Sequence, residues 1–177
     1  MTTTALPGTR YRGSALERWK IGHRHFFSQI QSIVLAIKEY RQSPCDERLK
    51  VIADVILGSA AAMQFCADFA DDDYELVRES MASVDEKFSG IFSADHRMML
   101  HELKKLRASL PERNAARCEL EDAINVVYAA HAFVCRRFVG DNGSLANGAA
   151  PAWQTITSKF MKRTLRLIGA QDPISVV

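Results

Sequence analysis

The chain has 177 residues, enough for one domain whose hydrophobic core needs no disulfide or metal to hold it. Hydrophobic residues make up 47% and charged residues 25%, which excludes a disordered chain. The formal net charge of +2 gives little support to a dedicated nucleic-acid binder, so nucleic acid is not an expected partner.

The first residues and the cysteines indicate the cellular setting. Residues 1–13 are polar and have no apolar stretch of the signal-peptide kind, so we expect a flexible N-terminal tail. No apolar run approaches the ~18 residues of a membrane span, so no transmembrane segment is expected. The four cysteines have no two-residue spacing, which excludes a zinc knuckle. We expect free thiols and a cytoplasmic location.

The first helix has the clearest pattern. Ser14 and Glu17 form a capping box before a series of apolar residues that recurs every three or four positions. The series is Leu16, Trp19, His23, Phe26, Ile30, Ile33, Ile37 and Tyr40. The pattern predicts a helix over 14–42, and its heptad seam is compatible with a homodimer.

The second helix is predicted over 44–70, with Ser43 as N-cap and Pro44 in its first turn. Its apolar residues fall on two faces, which is typical of a central helix. Small residues form its waist, where a neighbouring helix or a flat ligand can approach the backbone. Gly58, Ser59 and Ala62 are the predicted ligand groove.

Four further helical segments follow. Asp71–Asp73 begins the third, and a shorter fourth carries His96; the sequence leaves open whether a turn or a kink joins them. Ser109 and Glu112 predict a cap for a fifth helix over about 110–139. Pro151 begins the last helix, and 170–177 is a predicted tail. The predicted fold is an all-α antiparallel helical bundle of five to six helices, with a single core, over 14–169.

Three of the five histidines replace apolar residues in these helical series: His23, His96 and His131, each on a different helix. Imidazole binds zinc, iron and copper, and helical bundles build cofactor sites from facing helices. A haem or transition-metal site is therefore one interpretation, and separate buried histidines are the other. Cys135 lies four residues after His131, on the same side of the helix, as a further candidate ligand.

Helix geometry limits this hypothesis. With about 1.5 Å of rise per residue and every helix crossing the bundle, His96 lies at roughly 30 Å and His131 at roughly 35–40 Å from the base. His23 lies at roughly 14 Å, a layer or more away. A His96–His131 pair is then compatible with the fold. A site of three histidines requires the third and fourth helices to form one continuous rod.

The last helix groups Lys159, Lys162, Arg163 and Arg166 on one face. This basic face suits RNA, an anionic membrane or an acidic partner, but a solvated outer face is the favoured interpretation.

No nucleophile elbow and no phosphate-binding glycine loop is present in the sequence, so no catalytic residue is predicted and enzyme activity stays open. The leading hypothesis is a helical-bundle binding module, a regulator or adaptor that engages a protein partner or a small apolar ligand. The alternative is a small haem- or metal-dependent enzyme or sensor with its site between helices. RNA binding through the basic last helix is a weaker alternative.

Overall fold

The computed structural model describes residues 13–83, 93–138 and 152–170, and every regular element in these ranges is helical. The helices are α1 (Ala15–Gln42), α2 (Asp46–Cys66), α3 (Tyr74–Ala82), α4 (Ala94–Leu106), α5 (Ala115–Phe138), α6 (Ala152–Thr155) and α7 (Lys162–Leu167). A π-helical segment, Ile156–Met161, joins α6 to α7, and these three together are called the C-terminal helix. The chain is thus the predicted all-α bundle. Nearly all of both predicted tails, and the joint between the third and fourth helices, lie outside the described residues.

Helix α1 begins and ends where the sequence predicts. The Ser14 hydroxyl accepts a hydrogen bond from the Glu17 amide at 3.2 Å, and the Glu17 carboxylate accepts one from the Ser14 amide at 2.9 Å. This capping box satisfies amide groups that have no partner inside the helix. The later positions of the heptad seam, including Ile33 and Ile37, are buried inside the chain by the neighbouring helices.

Two predicted helix starts are too early. Ser43 closes α1 instead of opening α2, because its amide donates to the carbonyls of Glu39 and Tyr40. A residue before a proline is disfavoured in the helical conformation, and Ser43 is not helical (φ −147°, ψ 83°), so α2 begins only after Pro44. Helix α5 begins at Ala115 because the Asn114 side chain caps it, accepting from the amide of Arg117 at 3.0 Å.

Helices α1 and α2 run antiparallel, since Arg18 near the start of α1 pairs with Asp68 just after α2, while two of the non-consecutive pairs run parallel. Asn114, before α5, donates to Asp46, the first residue of α2, at 2.9 Å. Arg137, near the end of α5, donates to the carbonyl of Ala67, just after α2, at 3.0 Å. The first residues of α2 and α5 therefore lie at one end of the bundle and their last residues at the other, so α2 is parallel to α5.

Helices α1 and α4 are also parallel to each other. Arg41, near the end of α1, contacts Glu102 in the second half of α4. The Tyr40 hydroxyl donates to the Ser109 carbonyl just beyond α4. The chain between α2 and α4 therefore returns to the end of the bundle from which it left, and α3 does not carry it across. We call this the histidine end: α1 and α4 begin there, and α2 and α5 end there.

The helices share a single hydrophobic core. Its fully buried members come from α1, α2, α4, α5 and the end of the C-terminal helix, and include Ile37, Leu49, Leu106, Leu120 and Ile168. Among the described residues, α2 is long and apolar enough to cross a membrane by length and composition alone, a test that the core helix of a helical bundle also passes. Here α2 packs between α1 and α5.

Candidate cofactor cleft

An apolar cleft opens inside the bundle near the histidine end. Five helices contribute to its walls, which consist of Phe26, Ile30, Ile33, Ile56, Ser59, Met63, His96, Met99, Leu103, Ile124, Val127, Tyr128, His131 and Thr164. Its empty space is about 510 Å³, part of which is open to solvent, and the space that water can enter is about 60 Å³. None of these lining residues carries a carboxylate, a lysine or an arginine. The cleft is therefore an apolar slot with a few neutral polar groups.

Two of the three predicted histidines, His96 and His131, line this cleft together. By surface area His131 is exposed, although many protein atoms surround its imidazole. This enclosure, with smaller effects from the charges of His96 and His23, lowers the pKa of His131 to about 4. Burial also lowers the pKa of His96. Both rings are therefore neutral at physiological pH, the form in which imidazole binds a metal.

His23 lies at the same end of the bundle but does not line the cleft. Its Nδ1 donates to the Trp19 carbonyl at 3.0 Å, and its ring lies 4.0 Å from the Trp19 ring between centroids. That bond assigns the proton to Nδ1, since a carbonyl cannot donate, and leaves the lone pair on Nε2. The sequence-based heights placed His23 a layer away because they assumed that the third helix crosses the bundle. Since α3 does not, His23 is near enough for its charge to affect His131.

The ligand set indicates which cofactors the cleft suits. In the described parts of the chain, no group of three or more His, Cys, Asp or Glu side chains converges to hold a metal ion. Cys135 is half-buried, is not one of the cleft-lining residues, and has a thiol whose pKa burial raises to about 11. Of the predicted ligands, the imidazoles of His96 and His131 are thus the ones that line the cleft. Two imidazoles suit a cofactor that brings most of its own metal ligands, such as haem.

The predicted ligand groove on α2 is only partly in the cleft. Ser59 lines the cleft, whereas Gly58 faces the Gln29 side chain of α1. Ala62 is half-buried and is not one of the lining residues.

Sequence reasoning missed two cleft residues, Tyr128 and Thr164, whose side-chain oxygens lie 2.6 Å apart. The spacing of three residues between Tyr128 and His131, which places both on one side of α5, was a usable signal.

The predicted basic face lies on the outside of the C-terminal helix. Lys159, Lys162, Arg163 and Arg166 line an open groove there together with Ser158 and Leu167. Thr164 and Leu165, on the opposite side of the helix, are buried. The groove is separate from the cleft, although the charge of Arg163 is close enough to affect Tyr128.

Fold and site together define a helical-bundle protein with a histidine-lined apolar cleft. The family model described as SfmD 3-methyl-L-tyrosine peroxygenase matches residues 2–123, and the chain belongs to this family. The matched range contains His23 and His96 and ends within α5, before His131 and Cys135. No curated protein and no solved structure matches the chain. Membership in a peroxygenase family favours the haem- or metal-dependent alternative over the binding module.

Proposed function

We propose that this chain is a haem-dependent, peroxygenase-type enzyme whose cofactor occupies the cleft, with His131 and His96 as the candidate iron ligands. The observation that carries this proposal is that both imidazoles line one apolar cleft in a chain of a peroxygenase family. Of the two, His131 is the first choice, because it has the more strongly lowered pKa and so remains a neutral ligand over the wider pH range.

The cleft residues fit a porphyrin in character. The walls are mostly aliphatic and aromatic, and the imidazoles of His96 and His131 are among their few polar groups. Because little of the cleft can be entered by water, side chains must move aside to admit a large planar group. Met63 and Met99 line the cleft, and methionine side chains adapt readily to such a change.

When bound, haem would supply the activation of a peroxide for transfer of an oxygen atom to an organic substrate. The residues of the chain position the cofactor and the substrate, and they exclude water. Apolar walls such as Ile30, Ile124 and Val127 keep water away from the reacting centre. The neutral imidazoles keep net charge out of the cleft, so an apolar substrate enters without the cost of desolvating an ion.

Cys135 has a different place in this proposal. It lies one helical turn after His131, but its thiol remains protonated at neutral pH. Thiolate is the form in which cysteine binds a metal, so imidazole is the better iron ligand in this arrangement.

The test is titration of the full chain with haemin, followed by absorption spectroscopy and elemental analysis for iron. We expect a Soret band that saturates at one haem per chain. His131→Ala should weaken haem binding by tenfold or more, on the order of the loss that follows removal of a supporting group at a metal site. His96→Ala should change the position of the band or weaken binding.

The matched control is His25→Ala, because His25 is an exposed histidine of α1 that does not line the cleft. This variant should bind haem as the unmodified chain does. A chain that gains no Soret band, or one in which His131→Ala and His96→Ala both bind like the control, would show that the cleft is not the haem site.

A further inference from the structure

Three hydroxyl groups line the cleft, and the protein uses the proton of each one. Ser59 donates to the carbonyl of Val55 at 3.2 Å. Thr164 donates to the carbonyl of Phe160, in the π-helical segment, at 3.1 Å. Each hydroxyl has a single proton, so neither group has one left for a ligand.

The proton of Tyr128 follows from the same argument. Its oxygen lies 2.6 Å from the Thr164 oxygen, a distance at which one of the two must donate. Thr164 already donates to Phe160, and both hydrogen bonds form at once only if Tyr128 donates to Thr164. The result is a directed chain from Tyr128 through Thr164 to a backbone carbonyl.

The phenol stays protonated in this position. Burial raises the pKa of Tyr128, and this effect exceeds the opposing effects of the Thr164 hydrogen bond and the Arg163 charge. With its proton directed toward Thr164, the Tyr128 oxygen can offer a ligand only a lone pair. The hydroxyls of the cleft therefore present acceptors and no donors.

We propose that Tyr128, oriented by Thr164, is a specificity-determining residue that accepts a hydrogen bond from the substrate. The cleft would thereby select aromatic molecules that carry a hydroxyl or amino donor over molecules of the same shape that lack one. An acceptor that is left without a partner in an apolar enclosure costs free energy, so a molecule that donates to Tyr128 is favoured over one of the same shape that cannot. The substrate role rests on the proposed function, whereas the binding preference does not require haem.

The probes are p-cresol and 4-methylanisole, which differ by replacement of the phenol proton with a methyl group. Dissociation constants for the full chain are measured by ligand-observed NMR titration, with and without one equivalent of haemin. We expect p-cresol to bind about five- to tenfold more tightly, the ratio for one neutral hydrogen bond. Tyr128→Phe should reduce this preference about threefold or more, and the imidazoles of His96 and His131 account for any preference that remains in the haem-free chain.

Two further variants separate orientation from simple packing. Thr164→Val removes the acceptor that holds the Tyr128 proton, so the phenol can turn and donate into the cleft. The preference for p-cresol should then fall while 4-methylanisole binds more tightly than to the unmodified chain. Tyr74→Phe removes the hydroxyl of a tyrosine of α3 that does not line the cleft, and it should leave the preference unchanged. Thermal unfolding of each variant establishes that it is folded.

A preference for p-cresol that is undiminished in Tyr128→Phe, or that is lost in Tyr74→Phe, would overturn the assignment. So would equal binding of the two probes by the unmodified chain. The haemin titration is scored separately: a chain that binds no haem but prefers p-cresol through Tyr128 would refute the proposed function and leave this inference standing. A chain that binds haem but shows no preference for p-cresol through Tyr128 would refute only this inference.

Discussion

Gly22 in α1 and Gly58 in α2 are both helical glycines, yet their surroundings differ. A Cβ atom added at Gly22 would overlap the sulfur of Cys66 and lie 3.0 Å from the Cys66 Cα atom. A Cβ added at Gly58 would meet only the Gln29 side chain, at 3.5 Å, which is an ordinary contact. The close approach between α1 and α2 is therefore at Gly22, at the histidine end, and not at the small-residue waist of α2.

These two sites give a matched pair of substitutions. Gly22→Ala should lower the free energy of unfolding by about 1–3 kcal/mol, because the added methyl group forces backbone apart. Gly58→Ala should be neutral or raise it by up to about 1 kcal/mol, because alanine favours the helix and has room. Urea unfolding followed by circular dichroism measures both, and equal effects at the two sites would contradict the packing described here.

At the residue scale the sequence predicts which positions are unusual but not what they contact. His131 and His96 interrupt apolar series, and this pattern alone identified two cleft residues. Tyr128 and Thr164 show no such interruption, because tyrosine and threonine fit ordinary helical patterns. Their pairing depends on how the C-terminal helix packs on α5, and that packing includes a π-helical segment that local pattern does not predict.

Helix α4 is fixed to α1 by a carboxylate that two cations cover. Glu102 has a side chain that is only 5% exposed, and it pairs with Lys105 at 2.8 Å and with Arg41 at 3.2 Å. The hydrogen bond from Lys105, then the charges of Lys105 and Arg41, lower the pKa of Glu102 despite the opposing effect of burial. The carboxylate is thus covered at the edge of the helix pair and not deep in the core.

Glu102→Gln should lower the free energy of unfolding at pH 7 by roughly 1 kcal/mol, since both cations are partly exposed and solvent screens them. Because the folded pKa is below the unfolded value, the contribution is present above about pH 4.3 and is lost at lower pH. The difference between variant and unmodified chain should therefore shrink as the pH falls below about 4.3.

The control is Glu119→Gln, which removes an exposed carboxylate that lies 3.7 Å from Lys50. Such a pair contributes at most a few tenths of a kcal/mol. Urea unfolding of both variants at pH 7 and below pH 4 tests the prediction. A penalty for Glu102→Gln that stays constant across this range would show that the ion pairs do not stabilise the contact between α1 and α4.

The first and last residues of a helix are predictable from the sequence where capping and periodicity agree, as in α1. The predicted first residue is wrong where a proline or an asparagine determines the boundary, as at Pro44 and Asn114. Neither error changes which residues face the core, because the 3.6-residue period fixes the faces of a helix independently of its first turn.

On the scale of the whole molecule, helix direction decided the outcome for the histidines. Periodicity reports the face of a helix but not whether a short segment crosses the bundle. Treating the third helix as a full crossing reversed the direction of α4 and α5 relative to α1, and so separated His23 from His131. The parallel pairs α1–α4 and α2–α5 bring the three histidines to one end.

This arrangement predicts how the folded state responds to acid. Burial lowers the pKa of His23, His96 and His131 in the folded chain, and that of His131 to about 4. The unfolded chain binds protons at histidine near pH 6.5, so it gains protons first as the pH falls. Stability supplied by the neutral imidazoles is therefore complete above about pH 6.5 and is lost between that value and the folded pKa values.

His131→Gln removes one of these groups, so the variant should lose stability less steeply between about pH 6.5 and pH 4 than the unmodified chain does. Urea unfolding at several pH values measures the two slopes, with exposed His25→Gln as the control that should follow the unmodified chain. Parallel slopes for His131→Gln and His25→Gln would mean that His131 is no less accessible to protons than a surface histidine. The surrounding protein then does not lower the pKa of His131.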